Sequence, residues 1–210
     1  LHTWASRTLL TGVTIAELTQ TEARLYNGDA SFARAIRRFG YDNFGNVVQA
    51  IDDGDPAEAA DDRRTVTTYH NVTSGSAWLL GKPKLVQTYD AASSGTVLAQ
   101  RRFYYDGTTN LEALPTKGNL TREEEWLKAV PPATADTWPA TTLAYDSRGN
   151  VTTVDDARST ATVKYRTTTA YDPTGAYVTQ ITNAAGHSRT FTYDLRFGQL
   201  PRAPPQSPET

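Results

Sequence analysis

A tight turn that recurs at even intervals restricts a chain to short paired strands, and residues 171–194, YDPTGAYVTQITNAAGHSRTFTYD, carry such a turn. In Asp172-Pro173-Thr174-Gly175 the aspartate takes the first corner of a type I turn, where its carboxylate can accept from backbone N–H groups. Pro173 takes the second corner with its φ already set, and Gly175 can adopt the positive φ of a three-residue hairpin with a G1 bulge. Asp42-Asn43-Phe44-Gly45 and Asp146-Ser147-Arg148-Gly149 have the same form, each followed by Asn and Val, and Asn183-Ala184-Ala185-Gly186 repeats it with asparagine at the first corner. Asp172, Asn183 and Asp194 stand eleven residues apart, which leaves strands of about five to seven residues between turns.

Between the turns, side chains alternate with period two: Arg189, Phe191 and Tyr193 on one face, Thr190 and Thr192 on the other. A tyrosine precedes the aspartate in Tyr41-Asp42, Tyr89-Asp90, Tyr105-Asp106, Tyr145-Asp146, Tyr171-Asp172 and Tyr193-Asp194, with Tyr69-His70 as a degenerate member. Each such tyrosine is expected to end a strand with its ring on a defined face, where it can stack on neighbouring units. The uneven spacing upstream is read as insertion into loops, which is thermodynamically cheap.

Asp55-Pro56-Ala57-Glu58 has the form of a helix start, and a short helix over Pro56–Asp62 is expected. Residues 13–26 and the segment from Leu120 fit both helical and strand patterns and are read as strands. The reading divides the chain into an incomplete N-terminal strand segment (1–32), an irregular repeat region with inserted loops (33–140), regular repeats (141–200) and a disordered Pro-rich tail (201–210). Leu1 opens the sequence without a methionine or a basic and apolar leader, so an internal piece of a longer polypeptide is expected.

Composition excludes several classes. A net charge of −2 over 210 residues gives no electrostatic footprint for nucleic acid. No cysteine is present, so neither a disulfide framework nor a thiolate metal site can form. No apolar run approaches the roughly 18 residues of a membrane-spanning helix. The acidic cluster Asp52, Asp53, Asp55, Asp61 and Asp62 lacks the residue order of a calcium loop and reads as a solvated loop with a cap. His2, His70 and His187 have no zinc-ligand spacing, and no G-x-S-x-G elbow exists to expose a nucleophile. Ser74-Gly75-Ser76 reads as a flexible turn. The expectation is therefore no catalytic residue, no cofactor and no metal.

The recurring Tyr-Asp-x-x-Gly-Asn units resemble the YD, or RHS, repeat family of bacteria. YDNFGNVVQAIDDGD, TVTTYHNVT, WLLGKPKLVQTYD, FYYDG and PTKGNLTR follow one another over about residues 33–198 as in the shell-forming B component of bacterial insecticidal toxin complexes. The resemblance implies an all-β fold of consecutive antiparallel hairpins forming a curved open sheet, a piece of a hollow shell. Such shells enclose a toxic polypeptide and hand it to a translocation channel component. The implied partners are the remainder of the shell, or a toxin-complex C component carrying the toxic domain, in a secreted or extracellular setting. Members often end in an aspartate-dependent self-cleaving core. That core has no counterpart before Pro201, and Asp172-Pro173 occupies the ordinary turn position, so no catalytic role carries over. The alternative reading is a carbohydrate-binding or adhesion β-repeat module, in which Trp4, Trp78, Trp126, Trp138 and exposed tyrosines stack on sugar rings.

Overall fold

Short stretches rich in threonine and valine, bounded by glycine turns, cannot hold a helix and must find their hydrogen bonds in neighbouring strands. In a computed structural model of the chain every strand does so. The structure describes residues 1–198 except 11, 27, 29, 76, 93, 94 and 195–197. Two compact units are present, Leu1–Pro139 and Ala140–Thr210.

The first unit holds β1 (His2–Leu10), β2 (Val13–Tyr26), β3 (Phe32–Tyr41), β4 (Val47–Gly54), β5 (Arg63–Val72), β6 (Leu79–Tyr89), β7 (Val97–Tyr105) and β8 (Leu120–Glu125). The second holds β9 (Ala140–Tyr145), β10 (Val151–Asp155), β11 (Arg166–Tyr171), β12 (Val178–Thr182) and β13 (Ser188–Thr190). Within each unit strands pair antiparallel in chain order, each with the strand before and the strand after. Among the described residues there is no helix, and in neither unit do the strands close on themselves.

Hairpins packed only edge to edge bury little. Among the described residues the buried apolar side chains are Val72, Tyr104 and Tyr105, and no side chain falls below 2% exposure. The fold thus rests on ladder hydrogen bonds and cross-strand pairs rather than on an interior.

The ambiguous stretch 13–26 is the long strand β2, and Leu120–Glu125 is β8. The short helix expected over Pro56–Asp62 does not form. Residues 55–62 make two successive turns, Glu58 N–H donating to Asp55 O at 2.8 Å and Asp61 N–H to Glu58 O at 3.4 Å. The Asp61 carboxylate accepts from Asp55 N–H at 3.0 Å, and this closure of the loop replaces the costly nucleus of a helix that short. At the other end, β13 stops at Thr190, so Tyr193 follows a strand rather than ending one. Its ring lies 4.8 Å from that of Tyr177, which holds it by stacking where the ladder has ended. The Pro-rich tail 201–210 lies outside the described residues.

Candidate functional site

The recurring Tyr-Asp corner is the chemistry the chain repeats, and its geometry begins with the aspartate. At Asp42, Oδ1 accepts from Phe44 N–H at 2.8 Å and Asn46 N–H at 2.9 Å, and Oδ2 from Asn46 Nδ2 at 2.8 Å. Asp146 repeats this with Arg148 N–H, Asn150 N–H and Asn150 Nδ2 at 2.9, 2.9 and 3.0 Å. Asp172 accepts from Thr174 Oγ1 at 2.6 Å and from Ala176 and Tyr177 N–H at 2.9 and 3.0 Å. Asn183 Oδ1 takes Ala185 and His187 N–H at 2.9 and 3.0 Å. The fourth-position glycines Gly45, Gly149, Gly175 and Gly186 have φ of 83, 88, 75 and 81°, and each donates its N–H to the carbonyl of the first corner. A bulge follows at Tyr41↔Val47, Tyr145↔Val151 and Tyr171↔Val178.

Two corners hold insertions without losing their frame. Asp106 N–H donates to Asn119 O at 2.8 Å, and Tyr105 pairs with Leu120, so Gly118-Asn119-Leu120 is the exit of the same corner with a loop inserted before it. The Asp106 carboxylate organises that loop, Oδ2 accepting from Thr116, Lys117 and Gly118 N–H at 2.7, 2.9 and 3.1 Å and Oδ1 from Asn119 N–H at 2.9 Å. Burial pushes this carboxyl up, but the four backbone donors outweigh it and hold it at about 2. The Thr174 hydroxyl first, and the Tyr177 N–H next, hold Asp172 at about 2 as well. At Asp90 the exit is Thr96, whose N–H reaches Asp90 Oδ1 at 2.7 Å, with Tyr89 paired to Val97.

The tyrosines act on the strand behind them. Tyr41 OH donates to Leu18 O at 2.7 Å, Tyr69 OH to Val47 O at 2.9 Å, Tyr105 OH to Pro83 O at 2.9 Å and Tyr171 OH to Val151 O at 3.1 Å. The register is the same each time. The ladder to the preceding strand ends at Gln20↔Arg38, Gln49↔Val66, Leu85↔Arg102 and Thr153↔Thr168. The tyrosine stands three residues past that last pair and its acceptor two residues before it. Where the two strands splay, a phenol hydroxyl satisfies a carbonyl that the ladder leaves behind. Tyr69 does this although His70 replaces the aspartate, so the tyrosine's role is separable from the turn. The remaining repeat tyrosines differ: Tyr89 lies under the Arg64 guanidinium at 4.5 Å, Tyr193 stacks on Tyr177, and Tyr145 leads into the Asp146 corner. Asp194 takes part in a bridge and accepts from Gly198 N–H at 2.8 Å.

Corners are also tied to one another. Asn71 Nδ2 donates to Asp42 Oδ2 at 3.0 Å, while Asn71 Oδ1 accepts from Asn46 Nδ2 at 3.2 Å and Gly81 N–H at 2.9 Å. In the second unit Asn150 Nδ2 donates to Gly175 O at 2.9 Å and Arg148 Nη2 to Pro173 O at 3.0 Å. Arg7 reaches from β1 to Glu17 and to Asp42 O. The sequence signals Asn46 and Asn150 by their place after the turn glycine; Asn71 and Arg7 carry no such mark.

The other singled-out residues are spread out. Asp52 and Asp53 pair with Arg37 and Arg38, both at 2.6 Å, and Asp55 and Asp61 are engaged within the loop. His70 is buried at 4% exposure beneath the loop inserted after Asp106, its ring 6.3 Å from Tyr105 and edge-on to it. Trp126 Nε1 donates to Asp136 at 2.8 Å, Trp138 lies under Arg102 at 3.5 Å, and Trp4 and Trp78 are exposed.

No family model and no curated protein matches the chain. Solved structures similar to it include a mutant Tc holotoxin pore of Photorhabdus luminescens, at 14% identity and a TM-score of 0.48 over 90% of this chain and 14% of that one. The crystal structure of TcdB2-TccC3 is similar at 13% identity and a TM-score of 0.48, over 90% and 14%. The same assembly without its hypervariable C-terminal region is similar at 14% identity, with the same score and coverage. The chain thus spans about 14% of the length of the chains it matches.

Proposed function

We propose that the chain is a non-catalytic wall segment of a YD-repeat shell that encloses a toxic polypeptide and delivers it to a translocation channel. The observation that carries the reading is the invariant offset of the tyrosine hydroxyl bond across the β2–β3, β4–β5, β6–β7 and β10–β11 pairs. A corner that satisfies its own backbone and also fastens the preceding strand can be appended indefinitely, which is what building a wall from one chain requires. The missing interior supports the same reading, because a single-layer strip needs the rest of a shell to protect its faces and edges. The partners in this reading are further repeats of the same shell, or a C component carrying the toxic domain, in a secreted assembly.

Electron microscopy of the complete gene product tests it. A closed hollow particle is expected. A solid globule, or an open filament with no lumen, would overturn the proposal.

A further inference from the structure

The ladder beside the β2–β3 hairpin runs out before the hairpin does. β2 and β3 stay paired out to Tyr26↔Phe32, but β3 meets β4 only as far as Ile36↔Gly54. The chain leaves the sheet at that point: Gly54 has φ 53°, Asp55 N–H donates to the Asp61 carboxylate, and the loop returns as β5 opposite Asp52. On the β4 side, the edge of β3 from Phe32 to Ala35 therefore has no strand beside it among the described residues.

A groove of about 360 Å³ runs along the notch, lined by Ala23, Leu25, Ala33 and Ala35 and closed at one end by Gly54 and Asp55. An open edge points alternate N–H and C=O groups outward, and an added extended backbone satisfies them together. The side chains say what kind. Ala23↔Ala35 and Leu25↔Ala33 share one face, where the alanines leave room and Leu25 is 70% exposed. On the other face Arg24 stands directly opposite Arg34, a like-charge pair that weakens the hairpin. Arg24 pairs with Glu22 at 2.6 Å and lies over Phe32 at 4.7 Å, whereas Arg34 has no ion-pair contact among the described residues and shares the field of the Glu22 carboxylate only from further off. A carboxylate beside Arg34 on a third strand would complete that face.

We propose that the Phe32–Ala35 edge is a strand-addition site for an extended polypeptide segment with alternating apolar and acidic side chains, lying antiparallel to β3 in line with β4. Its apolar residues would cover Leu25, Ala33 and Ala35, and an acidic residue would meet Arg34. The site stands on the geometry of the notch alone, so it survives failure of the shell reading and can fail without it.

Amide hydrogen exchange of the whole chain, titrated with the peptide acetyl-Val-Glu-Val-Glu-Val-amide, tests the proposal. Exchange at those amides of residues 32–35 that point to the open edge should slow by about tenfold or more, as expected when an open edge becomes a paired strand. The same peptide N-methylated along its pairing edge should give no protection. Arg34→Glu should abolish protection by the acidic peptide and confer it on the Val-Lys analogue, and Arg34→Ala should weaken the first without gaining the second. Unchanged exchange at saturating peptide, or equal protection by the N-methylated peptide, overturns the proposal. So does protection that rises with protein concentration in the absence of peptide, since a second copy would then be the occupant.

Discussion

A single hydroxyl separates Tyr105 from phenylalanine, and that hydroxyl donates to Pro83 O across splayed strands. Tyr171→Phe would leave Val151 O without its donor and should lower stability by about 1 kcal/mol, the net worth of one such bond; chemical denaturation of the variant beside the unaltered chain measures it. Glycine at the fourth corner is needed for conformation and not for space. A Cβ on Gly186 would meet nothing within 4 Å, yet φ is 81°, so Gly186→Ala should cost about 1 kcal/mol and Gly186→Asn less. The turn carboxylates set the acid limit. The folded value of Asp106 is about 2 against an ordinary 3.8, so the folded state binds fewer protons than the unfolded chain between those values. The stability it contributes is present above about pH 4 and is lost as pH falls toward 2. A carboxyl titration midpoint for Asp106 near its ordinary value would contradict the four-donor cradle. At this scale the aspartate and glycine roles were legible because a turn is a local event read from four adjacent residues. The tyrosine bond was not, because its acceptor lies about twenty residues back and is a carbonyl, which every residue possesses.

The hairpin is the unit that absorbs change. The loop after Asp106 is inserted ahead of Gly118-Asn119, leaving the entry and exit bonds of the corner intact. Replacing residues 107–117 by two residues should therefore keep β7 and β8 paired while uncovering His70. Burial first, and Lys84 second, hold His70 below its ordinary 6.5, against the opposing pull of the Leu111 backbone and Glu112. The unfolded chain takes up that proton more readily than the folded one, so stability should fall as pH drops below about 6.5, and the shortened variant should lose this dependence. An unchanged acid profile after the loop is removed would show that the loop's cover is not what holds His70 down. Strand order and the ambiguous segments 13–26 and 120–125 could be read from alternation and turn spacing. The helix over Pro56–Asp62 could not be rejected that way, since its capping signals are real: Asp55 Oδ1 does accept from Ala57 N–H at 3.0 Å. The long-range closure by Asp61 diverts that start into turns. Insertion loops likewise hid the edge notch beside Phe32, which exists only because β4 ends early.

For the molecule as a whole, the decisive quantity is how little is buried. Among the described residues the buried apolar ones are Val72, Tyr104 and Tyr105, and with an interior that small the proposed wall segment is expected to associate. Light scattering of the purified 210-residue chain, followed through thermal unfolding, tests this most directly. Concentration-dependent association with a broad transition at low temperature is predicted. A compact monomer that unfolds cooperatively at high temperature would contradict the proposal that these corners build one stretch of a larger wall.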